Sequence, residues 1–146
     1  MKLNYRFLPP ILWAVFIFFA SSNPDPTGYL PEGAVSTFKA FRFLGIRLDN
    51  LIWALSHIFI YAVLSFLVAR SLNHYRYFNA QVFQLAFAIT LLYGISDEIH
   101  QHFVPGRGFQ LYDILMDGLG ALVGLGLYAA LQLKRAQKQR QEALLL

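Results

Sequence analysis

The sequence predicts an all-α integral membrane protein, a bundle of four transmembrane helices with a long extracytoplasmic first loop. Apolar residues make up 57% of the 146 residues and charged residues only 14%. A soluble domain of this size cannot bury so many large apolar side chains. The apolar residues also fall into four segments. Basic residues flank those segments instead of forming one face, which argues against a nucleic-acid partner.

The four predicted spans lie within one domain, residues 1–146. They cover residues 6–22, 51–72, 80–100 and 110–133, and a basic cytoplasmic tail follows at 134–146. Each segment approaches the roughly 20 apolar residues that a helix needs to cross the hydrocarbon core. Cysteine is absent, which excludes disulfide bonds and thiolate chemistry.

The first span allows two interpretations. Pro9-Pro10 lies near its start, where a helix tolerates proline, and Lys2 and Arg6 are long enough to reach the membrane interface. Trp13 and a Phe-rich centre favour an uncleaved anchor. The rival interpretation is a secretory signal peptide, because Ala-Ser-Ser at 20–22 resembles a cleavage site.

The first loop contains a Pro- and Gly-rich stretch, 23–33, and then a weakly amphipathic segment, 34–48. Phe38, Phe41 and Leu44 would share one helical face. The pattern predicts a short helix, either at the membrane surface or packed on the bundle.

A helix-start signal, a polar helix face and small residues characterise the remaining spans. Asp49-Asn50 is a helix-start signal for the second span, in which His57 and Tyr61 share a face. A histidine in this position is either a hydrogen-bonded packing residue or part of a site. Gly94 and the Gly120-x-x-x-Gly124 pattern predict close helix approach.

The orientation follows from the basic residues. Four spans put the N-terminus, residues 73–79 and the C-terminus on one side, which carries twice as many basic residues as the other. The positive-inside rule therefore predicts that both termini are cytoplasmic. The two sets are Lys2, Arg6, Arg70, Arg76, Lys134, Arg135, Lys138 and Arg140, against Lys39, Arg42, Arg47 and Arg107.

The candidate site lies in residues 93–124, where polar residues stand between two apolar segments. Asp97 and Gln101 are one helical turn apart, as are Asp113 and Asp117, so each pair shares a helix face. A helix-stopping turn, 104–108, separates the two pairs. Charges beside such apolar segments are costly, which predicts a functional site on the extracytoplasmic side.

Two interpretations of this site involve chemistry. In the first, a divalent metal ion is bound by Asp97, His100, Asp113 and Asp117, since a helical carboxylate–histidine spacing is found in bundle metal centres. In the second, Asp97 or Glu98 acts as a base and His100 as an acid in hydrolysis.

Two further interpretations involve Arg107. It could bind an anionic headgroup bidentately, and the other ligand-binding candidates are His57, Gln101, Asp113 and Asp117. Alternatively, Arg107 neutralises Asp113 or Asp97, and the cluster is an ion-pair network that joins the third and fourth spans.

The sequence resembles the VanZ-like family of membrane proteins. The resemblance covers nearly the whole chain. It is carried by Ser21-Ser22, by His57-x-x-x-Tyr61 and by SDEIHQHFVPGRGFQLYDILMDGLGALVG at 96–124, in which the DEIHQ-x-FVPGR core is specific. Asp117 occupies a position typical of Asn or Asp, and Asp49-Asn50 stands where the family often has an Asp-Lys pair. The remaining motif positions match: Asp97, Glu98, His100, Gln101, Pro105, Gly106, Arg107, Asp113 and Gly120.

The resemblance implies action at the bacterial cell envelope, since the family is named for low-level resistance to the glycopeptide teicoplanin. It supplies no agreed reaction. We therefore expect a protein of the cytoplasmic membrane whose outward-facing site binds or modifies a lipid-linked envelope precursor or a glycopeptide. The alternatives are a structural or regulatory module that recruits partner proteins, and a metal-assisted membrane hydrolase.

Overall fold

The computed structural model describes residues 5–24, 31–73 and 79–145. A 3₁₀ turn, Tyr5–Phe7, leads into α1, Leu8–Ser21. The remaining elements are α2 (Glu32–Ala40), β1 (Arg42–Phe43), β2 (Ile46–Arg47), α3 (Leu48–Leu72), α4 (Ala80–His102) and α5 (Leu111–Leu144). Lys2, Arg76 and part of the predicted first loop and of the 73–79 linker lie outside the described residues.

Three of the described helices, α3, α4 and α5, are long and apolar enough to cross a membrane. The apolar stretch Tyr5–Ser21 is shorter. Many large apolar side chains point outward, such as Leu12, Phe19 and Phe59, which are 58%, 68% and 64% exposed. An apolar exterior of this kind is suited to lipid rather than to water.

Helix α3 is the centre of the bundle and packs against α1, α4 and α5. The core residues are Ile17, Tyr61, Leu64, Val68, Ala69, Ala86, Leu125 and Tyr128. Two hydrogen bonds attach α1 to the bundle: the Trp13 indole donates to the Ile60 carbonyl at 2.9 Å, and the Tyr93 hydroxyl donates to the Ala14 carbonyl at 2.5 Å. Helix α1 is therefore an integral part of the fold.

The glycine pattern of α5 faces α3, as predicted. A Cβ atom added to Gly120 would lie 2.4 Å from the Ile58 carbonyl oxygen, and one added to Gly124 would lie 2.0 Å from that of Ala62. Only residues without a side chain permit this separation. The two backbones are consequently in direct contact.

The predicted helix over 34–48 is wrong in its second half. Helix α2 ends at Ala40, and a two-residue hairpin follows in which Phe43 pairs with Ile46. Leu44 and Gly45 form its turn, with φ of 50° and 82°. Two successive positive φ values are typical of a type I′ turn, so Phe41 and Leu44 share no helical face with Phe38.

Two helix boundaries also differ from the predictions. Helix α3 begins at Leu48, so Asp49 lies in its first turn and accepts hydrogen bonds from Arg47, which raises the pKa of the Arg47 guanidinium. Helix α5 continues through the predicted basic tail to Leu144. At 1.5 Å per residue, this helix is about 50 Å long and exceeds a hydrocarbon core of about 30 Å.

Candidate functional site

The buried polar side chains meet where the end of α4, the beginning of α5 and the first half of α3 come together. Helix periodicity places these side chains on common faces, because residues one turn apart on a helix face the same neighbouring helix. All are at most 9% exposed: His57 9%, Asp97 6%, Glu98 0%, Gln101 1%, Asp113 1% and Asp117 1%. Of the predicted ligand-binding residues, four are thus buried together in the bundle interior, and Arg107 is not one of them.

Asp97 is held by donors from three helices. The Ser21 hydroxyl of α1 donates to Asp97 Oδ1 at 2.6 Å, and the Gln101 amide donates to Oδ2 at 2.9 Å. The Tyr61 hydroxyl donates to the same Oδ2 at 3.4 Å. Both carboxylate oxygens of Asp97 therefore have partners, as a buried carboxylate requires.

His57 joins the two carboxylates of α5. Its Nδ1 lies 2.8 Å from Asp117 Oδ1, and its Nε2 lies 3.8 Å from Asp113 Oδ2. The Trp53 indole donates to the same Asp113 oxygen at 3.2 Å. His57 is thus hydrogen-bonded within the cluster, and it links α3 to α5.

Gly94 makes room for this arrangement. A Cβ atom at Gly94 would lie 2.9 Å from Asp117 Oδ2 and 3.3 Å from Tyr61 Cε1. The close approach predicted from this glycine is confirmed, and the neighbour it admits is a carboxylate.

Arg107 is the last residue of a tight turn in the connection between α4 and α5. Pro105 and Gly106 are its central residues, Gly106 has φ of 78°, and the Arg107 amide donates to the Val104 carbonyl at 3.1 Å. Proline followed by a glycine with positive φ is the pattern of a type II turn. The turn directs Arg107 back over the polar cluster.

The Arg107 guanidinium contacts neutral groups. Nη2 donates to Gln101 Oε1 at 2.7 Å, Nη1 donates to the Asn23 carbonyl at 3.3 Å, and Cζ lies 4.7 Å from the centre of the Trp53 ring. Burial lowers the pKa of Arg107, although the charges of Asp97, Glu98 and Asp113 oppose this effect.

The proposed ion pair between Arg107 and Asp113 or Asp97 is therefore wrong. Within the described part of the chain, no carboxylate oxygen lies within 4.0 Å of the Arg107 nitrogens. The physical reason is that Gln101 stands between Arg107 and Asp97 and bonds to both. The side chain that contacts the carboxylates of Asp117 and Asp113 is His57 instead.

Within residues 5–24, 31–73 and 79–145, three buried carboxylate oxygens have no hydrogen-bond partner: Glu98 Oε1, Asp113 Oδ1 and Asp117 Oδ2. The second oxygen of Glu98 accepts a hydrogen bond from the Gln110 amide at 2.8 Å, which connects the end of α4 to the beginning of α5. The cluster thus holds acceptor capacity that its own donors do not use.

A cavity of about 230 Å³ opens beside the cluster, between α1 and α3. Its polar lining consists of Ser21, Ser56, His57, Tyr61, Asp97, Gln101 and Arg107, and its apolar lining of Ile17, Ala20, Trp53 and Ile60. Of the predicted ligand-binding residues, His57, Gln101 and Arg107 face the cavity, whereas Asp113 and Asp117 lie behind His57.

The residues of the acid–base hypothesis lie in different parts of the structure. Asp97 lines the cavity, but His100 Nε2 lies 3.0 Å from the Ser22 hydroxyl, and its ring stacks on Phe18 with 4.5 Å between the centroids. Neither His100 nor Glu98 belongs to the lining described above. The pair of Asp97 and His100 consequently does not face a common ligand space.

The metal hypothesis gains no support from this geometry. Among residues 5–24, 31–73 and 79–145, no three His, Asp or Glu side chains come together in a way that would hold a metal ion. The predicted ligand His100 is turned toward Ser22, away from Asp113 and Asp117.

Sequence reasoning missed Trp53 and Ser56 as site residues. Both line the cavity, and Trp53 contacts Asp113 and Arg107. Trp53 lies one helical turn before His57, so its position on the same face was available from the sequence.

The fold and the site define a helical membrane protein whose apolar exterior surrounds a buried polar cluster with a lateral cavity. The family model described as VanZ/LLP1 matches residues 7–132. The chain therefore belongs to the VanZ/LLP1 family. Comparisons with curated proteins and with solved structures found no match.

Proposed function

We propose that this protein crosses the bacterial cytoplasmic membrane four times, with both termini in the cytoplasm and the cavity at the extracytoplasmic face. The distribution of basic residues supports this orientation. The hydrogen bonds of Trp13 and Tyr93 support an uncleaved first span, because cleavage after α1 would remove Trp13 itself and the Ala14 carbonyl to which Tyr93 donates.

Reporter fusions test this topology. Fusions after Asn79 and at the C-terminus are expected to report a cytoplasmic location, and fusions at Glu32 and at Arg107 an external one. An external C-terminus would reverse the orientation of the cavity and contradict its assignment to the outer face.

We further propose that the cavity binds the anionic headgroup of a lipid-linked envelope ligand. The observation that carries this proposal is Arg107, a half-buried cation at the cavity. Within the part of the chain that the structure describes, its guanidinium donates to the neutral oxygens of Gln101 and Asn23. A planar guanidinium that meets no carboxylate among the described residues matches a phosphate, which accepts two parallel hydrogen bonds.

The lining suits an amphiphile. Arg107, Gln101 and Ser56 offer polar contacts, and Ile17, Ala20 and Ile60 form an apolar wall. A headgroup attached to an acyl or polyprenyl chain would use both surfaces. A free glycopeptide is the second candidate ligand for the cavity. A role in glycopeptide resistance would follow from binding either ligand.

Nearby carboxylates do not prevent anion binding at Arg107. Asp97 lines the cavity, but both of its oxygens already accept hydrogen bonds, from Ser21, Gln101 and Tyr61. His57 lies between the cavity and the carboxylates of α5. Arg107 is half-buried whereas Asp97 is only 6% exposed, so Arg107 is the more accessible of these two charged groups.

The test compares Arg107→Ala and Arg107→Lys with wild type. Native mass spectrometry of detergent-purified protein would measure retention of an added polyprenyl monophosphate. We expect retention to fall about tenfold or more in both variants, because lysine keeps the charge but loses the planar fork. Arg42→Ala is the matched control, since Arg42 is exposed in β1 and does not line the cavity.

The competing function is a structural module in which the polar cluster holds the helices together. The His57 pairs with Asp117 and Asp113 favour it. If Arg107 serves only this role, Arg107→Ala will lower the melting temperature and leave retention per folded molecule unchanged. A stable Arg107→Ala protein with unchanged retention would contradict both functions for Arg107.

A further inference from the structure

A second cavity, of about 420 Å³, lies at the other end of the junction between α1 and α3. It is lined by Tyr5, Arg6, Pro9, Leu67, Arg70 and Ser71. On α3, Trp53 at the first cavity and Arg70 at the second are separated by a rise of about 25 Å, close to the hydrocarbon thickness. The two cavities thus lie near opposite surfaces of the membrane.

The second cavity is rich in hydrogen-bond donors. Arg6 and Arg70 supply two guanidinium groups, and Tyr5 supplies a hydroxyl. Within the described residues, no carboxylate oxygen lies within 4.0 Å of the Arg70 nitrogens. The buried carboxylates of the bundle are at the opposite end, so the local charge is positive.

Ser71 fixes the two arginines beside each other. Its hydroxyl bonds to the Arg6 carbonyl at 2.7 Å and to the Leu67 carbonyl at 2.9 Å, and the residue is only 6% exposed. This contact ties the turn before α1 to the last turns of α3. Arg6 and Arg70 are therefore held on the same cavity by the fold and not merely near each other in sequence.

We propose that this cavity binds a phosphate group, with Arg6 and Arg70 as its cationic ligands. Two guanidinium groups match the charge and the acceptor oxygens of a phosphate. Pro9 and Leu67 add an apolar wall at the depth of a membrane surface, which favours the phosphate of an anionic lipid headgroup over inorganic phosphate. The proposal is independent of Arg107 and of the ligand of the first cavity.

The test measures protection of detergent-purified, full-length protein against heat and retention of lipid by native mass spectrometry. The probes are phosphatidylglycerol, zwitterionic phosphatidylcholine and inorganic phosphate. The variants are Arg70→Gln, which removes one cation from the cavity, and Arg70→Lys, which keeps the charge. Arg135→Gln is the matched control because it removes the same charge from an exposed position on α5.

We expect phosphatidylglycerol to be retained about tenfold more strongly than phosphatidylcholine, and Arg70→Gln to abolish that preference while Arg135→Gln preserves it. Arg70→Lys is expected to retain part of it. Protection by inorganic phosphate that depends on Arg70 would support the site with a free anion as its ligand. Equal losses in Arg70→Gln and Arg135→Gln, or no response to either phosphate source, would overturn the proposal.

Discussion

The contact between α3 and α5 provides the sharpest stability prediction, at Gly124. Gly124→Ala adds one methyl group whose carbon would lie 2.0 Å from the Ala62 carbonyl oxygen and 2.2 Å from Ser65 Oγ. Ordinary contact begins near 3.4 Å. The serine side chain can rotate, but the Ala62 carbonyl belongs to helical backbone, so the two helices must separate.

The magnitude follows from two opposing effects. Alanine favours a helix over glycine by about 1 kcal/mol, whereas overpacking a well-packed contact costs about 1–3 kcal/mol and occasionally more. Because backbone rather than a side chain must move, we expect the upper end of that range. The net loss is then about 2 kcal/mol, or roughly 4–8 °C in melting temperature for a chain of this size.

The same helix offers a matched control. A Cβ atom at Gly126 meets nothing within 4 Å, so Gly126→Ala should leave the melting temperature unchanged or raise it. Both variants can be followed in detergent by the fluorescence of Trp13 and Trp53. Equal melting temperatures for the two variants would refute the conclusion that Gly124 is in backbone contact with α3.

Two further predictions concern polar contacts. His57→Leu removes the hydrogen-bond partner of Asp117 Oδ1 and leaves a buried carboxylate oxygen unsatisfied, which costs about 1–3 kcal/mol; thermal melting should show the loss, Asp117→Asn in the same protein should restore part of it, and the absence of rescue would contradict the pairing. Asn79→Ala removes the side chain that caps α4 by accepting from the Val82 amide at 2.9 Å, so the melting curve should show a loss of about 1 kcal/mol that Asn79→Asp largely avoids; an unchanged curve would mean that this cap contributes nothing.

Helix periodicity made part of the site predictable. The pairs Asp97 and Gln101, and Asp113 and Asp117, were each expected on one helix face, and all four side chains are buried together. Spacing along one helix fixes which residues share a face. It does not fix which partner each side chain finds elsewhere in the fold, and for this reason the alternative in which Arg107 neutralises Asp113 or Asp97 was wrong.

The local structure of the first loop could not be predicted from the amphipathic pattern either. Residues 34–48 carry a weak amphipathic signal, but the chain leaves the helix after Ala40 and turns at Leu44-Gly45. A weak helical moment is easily overridden by a glycine that permits a hairpin turn.

The sequence by itself determined the class of the protein and the location of the site along the chain. Apolar segments of membrane length dictate helices, because backbone polar groups in lipid must be satisfied within the segment. Acidic residues beside those segments indicate a site, because placing charged groups in a membrane is energetically costly and such groups are usually functional. These rules depend on composition and spacing alone.

Only the tertiary structure decided the pairing within the site. It made His57 the partner of Asp117 and Asp113, inserted Gln101 between Asp97 and Arg107, and added Trp53 to the cavity. The physical reason is that the contacts of His57 and Trp53 with α5 join residues 60 positions apart in the chain, and the contact of Gln101 with Arg107 depends on the turn between them. Their geometry depends on how closely α3 approaches α4 and α5, and glycines at the helix contacts set that distance.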